Sequence, residues 1–158
     1  VDIAQKMLEH GRAKLARRKL DGIVTLQTGE AEHLPFPNES FDAAIVAFGA
    51  RNFENLRQGL SEMHRVIRRG GKIVVLEFSR PRAFPFSMVY FFYFKHLLPL
   101  IGRVVSNHRY AYRYLPETVL KFPEGDDFLR ILNGIGFTEL REERLTFGIA
   151  TVYSGTKT

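Results

Sequence analysis

A chain of 158 residues with 45% hydrophobic composition can bury one real core and is short for two, so a single domain over residues 1–158 is expected. No cysteine occurs, which excludes a disulfide scaffold and any thiolate-held zinc or iron–sulfur centre and makes a reducing compartment the default. The net charge of +6 raises nucleic acid and anionic membrane surfaces as partners, but its clusters at residues 12–19 and 65–72 also carry helical apolar spacing and read as solvated helix faces.

The opening VDIAQKM lacks the regions of a secretory signal, so a cytoplasmic location is expected. Val1, Asp2 and Ile3 read as the end of a strand that yields to a helix, with Ala4, Leu8, Gly11 and Leu15 on one side. An acid at such a junction is where nucleotide-binding sheets accept hydrogen bonds from ribose hydroxyls; it is equally a helix cap. Asp21 and Gly22 mark a turn, and the branched apolar residues of 23–27 predict a second strand. In the loop TGEAEHLPFPNESFD, Glu30 and Ala31 lie just past that strand, and Pro35 and Pro37 bar a helix.

The apolar run from Ala43 to Phe48 predicts a buried strand that delivers Gly49, Arg51 and Asn52 to a sheet edge. Leu56, Leu60, Met63 and Ile67 then form the stripe of a helix over residues 53–69, stopped by Gly70 and Gly71. KIVVLEF, residues 72–78, predicts a central strand covered on both faces. Alternating strands and helices indicate an α/β fold with a parallel sheet.

Residues 80–122 interrupt this rhythm. The aromatic run at 84–102, FPFSMVYFFYFKHLLPLIG, is too broken by Pro85, Pro99 and the Lys95-His96 pair to span a bilayer. It reads either as a helix covering the core or as a lid for a long apolar ligand at a membrane interface, flanked by Arg80, Arg82, Lys95, Arg103 and Arg109. Tyr110, Tyr112 and Tyr114 would share a side if extended, and helix packing explains them as well. From Asp126 a helix carries Phe128, Ile131, Leu132 and Ile135 to a terminating Gly136. Residues 138–145 and 149–154 predict a hairpin that forms an antiparallel edge. The five histidines show no metal-ligand spacing.

VDIAQKML, GEAEHLPFPNESFD, AFGARNF, HRVIRRGGKIVVLEFS, AYRYLPETVLKFP and GFTELREERLTFGIA, in this order, resemble the menaquinone/ubiquinone C-methyltransferases, a family of class I S-adenosylmethionine-dependent enzymes. The resemblance implies a Rossmann-like methyltransferase sheet, mostly parallel with a C-terminal antiparallel hairpin, and an aromatic lid at about residues 80–122. The family's glycine-rich turn after the first strand has no counterpart in these residues. A fragment without the first strand and its helix is therefore expected, unstable alone or swapped into a homo-oligomer, because unpaired central strands are association templates.

The implied reaction moves a methyl group from S-adenosylmethionine to a ring carbon of a polyprenylated quinol, demethylmenaquinol or a ubiquinol precursor, and calls for no metal. The alternatives are a related enzyme acting on another lipid or phenol, and an inactive remnant. A basic RNA-binding module is disfavoured because the aromatics lie in one apolar run. Carried over by position, Asp2 would accept the ribose hydroxyls, Glu30 and Ala31 would border the adenine, and the backbone of Ala47 would touch the methionine part. Phe48 and Asn52 would face the acceptor. Arg51 would hold the acceptor's oxygen as it becomes anionic, unless it is a structural partner of Glu54 or Glu77. Tyr112 or Tyr114 would bond the other oxygen. Peripheral contact with an anionic membrane surface, at the inner face of the cytoplasmic membrane, is expected of an enzyme with a prenylated substrate.

Overall fold

In the computed structural model the described residues are 1–81, 84–92 and 118–158. Helix α1, Gln5–Arg17, follows Ala4, whose N–H donates to Asp2 Oδ1 at 2.8 Å. Asp2 also forms a parallel bridge with Thr28: its N–H donates to Gln27 O at 3.2 Å, and Gly29 N–H donates to its carbonyl at 3.3 Å. None of the residues of the strand expected at 23–27 enters a strand; the bridge lies just beyond them, at Thr28. The N–H groups of Ile23 and Val24 are taken instead by Leu20 O, at 3.0 and 2.9 Å, so a turn competes for the donors a ladder would use. Ile23 is left 80% exposed.

Four strands make one sheet, in the order β1-β2-β4-β3: β1 Phe41–Ala47, β2 Ile67–Phe78, β3 Phe137–Leu145 and β4 Ala150–Lys157. β1 and β2 are parallel, and β4 is antiparallel to both β2 and β3. The hairpin is present and forms one edge of the sheet, as expected. Its reversed strand β4 lies inside the sheet, and the outer strand β3 points the same way as β1 and β2. The α/β class stands, on a mixed sheet.

β1 is not the buried strand its composition suggests. It forms an edge of the described sheet, where Ala44 and Val46 pack on the core while Ile45 is 72% exposed. Alternating side chains reach opposite faces, and only one face of β1 is covered by described residues. β2 shows the same bias: Ile73, Val75 and Glu77 are buried, whereas Val74, Leu76 and Phe78 are half-buried rather than doubly covered.

Helix α2, Leu56–Val66, is shorter than expected at both ends. Residues Ala50–Asn52 form a 3-10 turn first, and the Asn55 side chain then caps the helix by accepting Gln58 N–H at 3.1 Å. At the other end Ile67 turns extended to pair with Phe41, so the glycines lie within β2 rather than at the helix stop. Gly71 serves a close approach. A Cβ there would stand 2.6 Å from Asp42 O.

Helix α3 is Phe86–Phe92, and α4, Asp126–Ile135, ends at Gly136 with φ 114°, as its sequence predicts. Leu60 and Met63 of α2, Ile73 and Val75 of β2, Phe128 and Leu132 of α4, Phe137 and Tyr153 form the core. The Tyr153 hydroxyl accepts Gly125 N–H at 2.7 Å, and burial pushes its ionisation up. In the aromatic segment Tyr90 packs with Val119 against Phe78 and Ile149, whereas Met88 and Phe92 are exposed. Tyr110, Tyr112 and Tyr114 lie outside the described residues.

His64 of α2 meets Phe137 edge-on at 4.8 Å. Burial, with the nearby charge of Lys157, lowers its pKa from the usual 6.5, against a smaller opposing effect of a hydrogen bond with the Gly136 backbone. The unfolded chain therefore binds this proton more tightly than the folded one. Stability present above pH 6.5 should be lost as pH falls through that value toward the lower folded pKa. Melting temperatures between pH 7.5 and 5 should fall more steeply for the wild type than for His64→Gln; equal slopes would contradict this.

Candidate functional site

The C-terminal ends of β1 and β2 lie side by side, Ala47 opposite Leu76, and the last tie is Phe48 N–H donating to Leu76 O at 2.8 Å. Phe48 then takes φ 53°, a left-handed conformation that costs an ordinary residue on the order of 1 kcal/mol and concentrates at functional sites. The 3-10 turn that follows sets Arg51 against Glu77. Arg51 Nη1 donates to Glu77 Oε1 and Oε2 at 3.2 and 3.0 Å and also to Phe48 O. Glu77 accepts two backbone N–H groups as well, Arg51 at 3.3 Å and Phe78 at 3.1 Å.

This pair is buried, with the Glu77 side chain 1% and the Arg51 side chain 12% exposed. Arg51 Nε is buried and meets no acceptor among the described residues. The Phe78 ring lies 4.5 Å from the Phe48 ring, and Arg51 Cζ stands 5.2 Å from its centroid. The strand ends thus combine an aromatic surface with a fixed guanidinium that retains a donor. An anionic oxygen on a flat ring is a matching ligand.

A second group gathers where Asp2 bridges Thr28. Ile3, Thr28, Gly29, Glu30 and His33 line a hollow, with Asp2 beside it. Asp2 and Glu30 are exposed carboxylates, acceptors that suit the hydroxyls of a ribose, and Glu30 Oε2 lies 4.0 Å from His33 Nδ1. Ala31 is half-buried in the same loop, while Ala47, Phe48 and Asn52 are exposed at the strand end. Asp2, Glu30 and Ala31 therefore sit together, and Ala47, Phe48, Arg51 and Asn52 sit together.

The loop that carries Glu30 is strapped to α2. Glu62 Oε2 accepts Leu34 N–H at 2.9 Å, and Arg65 donates to the carbonyls of Leu34 and Phe36 at 3.0 and 2.8 Å. The Arg65 hydrogen bond is the main cause that lowers the Glu62 pKa, with burial acting against it. Further along, Glu32 Oε1 accepts Asn55 N–H at 3.2 Å. Neither Glu62 and Arg65 nor Glu77 with Phe78 stood out as site residues in the sequence. Their signals were present as a lone acid inside an apolar strand and a Glu-Arg pair three residues apart on a helix.

A profile described as the ubiE/COQ5 methyltransferase family matches residues 1–157. The "Ubiquinone/menaquinone biosynthesis C-methyltransferase UbiE" of Geotalea daltonii is 43% identical over 157 residues, 99% of this chain and 66% of that protein. That of Geobacter sulfurreducens is also 43% identical, over 61% of its length, and a "Demethylmenaquinone methyltransferase" of Bacteroides fragilis is 40% identical over 64%. The chain thus spans just under two thirds of the length of these relatives. Among solved structures, the [4+2]-cyclase SpnF superposes with a TM-score of 0.70 at 16% identity, covering 98% of this chain and 64% of that one. A SAM-dependent methyltransferase from Aquifex aeolicus superposes with 0.67 at 13%, covering 99% and 66%. At such identities the superpositions speak for the fold alone.

Proposed function

The chain belongs to the ubiE/COQ5 methyltransferase family, and from this premise we propose that it acts in methyl transfer from S-adenosylmethionine to a ring carbon of a polyprenylated quinol. The observation that carries this reading is Arg51, held by buried Glu77 beside Phe48 and Phe78 with its Nε–H unused. Names of the relatives that refer to demethylmenaquinone and to ubiquinone/menaquinone biosynthesis support the acceptor class.

The residues around the hollow fit the nucleoside end of the methyl donor. Asp2 and Glu30 would accept its ribose hydroxyls, Ala31 would border the adenine, and the backbone of Ala47 would meet the methionine part. When bound, S-adenosylmethionine supplies an electrophilic methyl carbon. A ring carbon attacks it well only after a ring hydroxyl has lost its proton, since the phenolate then pushes electron density onto the adjacent carbon. Arg51 donates to that oxygen and stabilises its charge, Phe48 offers a face to the ring, and Asn52 lies at the same edge. Tyr112 and Tyr114 are proposed for the other oxygen by resemblance. Fixed donors aimed where charge develops, with reactants held about 3–3.5 Å apart, account for rate enhancement without a covalent intermediate.

Exposed Phe84, Met88 and Phe92 suit the prenyl tail and a peripheral lipid contact, and the open side of β1 suits pairing with another copy. Among the described residues no helix is long and apolar enough to cross a membrane. Purified protein given S-adenosylmethionine labelled in its methyl group should label a short-chain demethylmenaquinol in detergent and leave phosphatidylethanolamine and a simple phenol unlabelled. Label on either of the latter instead would move the acceptor to another class. Flotation with anionic but not neutral liposomes is the companion result expected for the lipid contact.

A further inference from the structure

The guanidinium of Arg51 is not free to turn. Every side-chain bond it makes to the described residues leaves from Nη1, three in all, and two of them end on Glu77. The same carboxylate also takes the backbone N–H of Arg51 at 3.3 Å, so it fixes both ends of this residue. Nε and Nη2 make no bond to the described residues, and of these Nε is buried. A buried donor left unmatched costs free energy unless something occupies it in the working state.

We infer that Glu77 is a positioning residue that, by holding Nη1, fixes the Arg51 guanidinium with its unused donors toward the acceptor's oxygen and, by its own negative charge, sets how strongly Arg51 favours the anionic form of that oxygen. The inference rests on the role given to Arg51 above. Without Glu77 the site would hold a full uncompensated positive charge. With it, the acceptor's ionisation is tuned by a pair rather than by a single cation. Among the described residues, Ala47 on β1 and Thr151, the β4 partner of Glu77, are neutral, and Glu54, two residues before α2, is an acid that wild type and variants share. Burial raises the pKa of the Tyr90 phenol on α3, which keeps it uncharged. Arg80, beyond the end of β2, is paired with Glu124 at 3.2 Å.

The test uses 2-naphthol as the probe and reads its ionisation by absorbance in complex with the purified protein. Wild type should lower the apparent pKa of bound naphthol below that of the free compound. Glu77→Gln keeps the shape and one accepting oxygen, replaces the other with a donor, and removes the charge that resembles the naphtholate's own, and should lower it by about one to two further pH units. Should Glu77→Gln fail to fold, the same comparison is carried by Arg51→Met, which should raise the value above that of free naphthol, and Arg51→Met with Glu77→Met, which should return it to the free value. If Arg51→Met shifts the probe but Glu77 variants do not, Glu77 is merely structural and the inference falls alone. A probe that does not bind, or that Arg51→Met leaves unshifted, overturns both the inference and the role of Arg51.

Discussion

Arg51→Ala should lose turnover and stability together, and the two losses should separate in a second variant. Removing the guanidinium leaves Glu77, 1% exposed, as a buried charge without its partner. Breaking a buried pair in this way costs about 3–5 kcal/mol, a large share of the roughly 5–15 kcal/mol that holds a domain folded. Replacing both members by apolar residues, Arg51→Met with Glu77→Met, should recover most of that loss, because the desolvation penalty disappears with the charges. Turnover should not recover, since no donor is left for the acceptor's anionic oxygen. Affinity for S-adenosylmethionine should change little in either variant, because the residues proposed for its nucleoside end are Asp2 and Glu30 rather than Arg51 or Glu77. Denaturant unfolding, calorimetric titration with the cofactor and initial rates measure the three quantities. Undiminished turnover in Arg51→Ala would remove it from the mechanism.

Phe128→Ala should cost about 3–5 kcal/mol through the cavity it opens. The ring is fully buried, with the Phe122 and Tyr153 rings at 5.2 and 4.6 Å. Its neighbours cannot collapse into the space easily, because Tyr153 is tied by its hydroxyl to Gly125 N–H and belongs to β4, paired on both sides. A midpoint shift with an unchanged denaturant slope is the expected signature; a loss below about 1 kcal/mol would mean that the core relaxes around the gap.

Elements whose causes are local were legible in the sequence. Helix α4 is specified by Phe128, Leu132 and a glycine that takes φ 114°, all within eleven residues, and the structure follows the pattern. The hairpin around Phe147 and Gly148 also follows from its own residues, although which of its strands sits inside the sheet depends on β2, far away in sequence. Features set by distant partners are not legible in this way. The composition of β1 predicts burial, but Ile45 is exposed because burial depends on what covers the far face. Residues 23–27 have strand composition, yet Leu20 O captures the N–H groups of Ile23 and Val24. At the site, Arg51 and Phe48 stood out because polar residues closed an apolar run. Strand alternation puts Glu77 on one face with Ile73 and Val75, but nothing in KIVVLEF says that this face is the buried one or that Arg51 lies over it.

The position of the new methyl group discriminates most sharply. After reaction with S-adenosylmethionine and a short-chain demethylmenaquinol, carbon NMR of the product should show a methyl bonded to the ring carbon adjacent to a ring oxygen. A methyl ether on the oxygen itself, or recovery of unmodified quinol from folded protein saturated with both substrates, would contradict a site in which Arg51 holds that oxygen as an anion while carbon attacks.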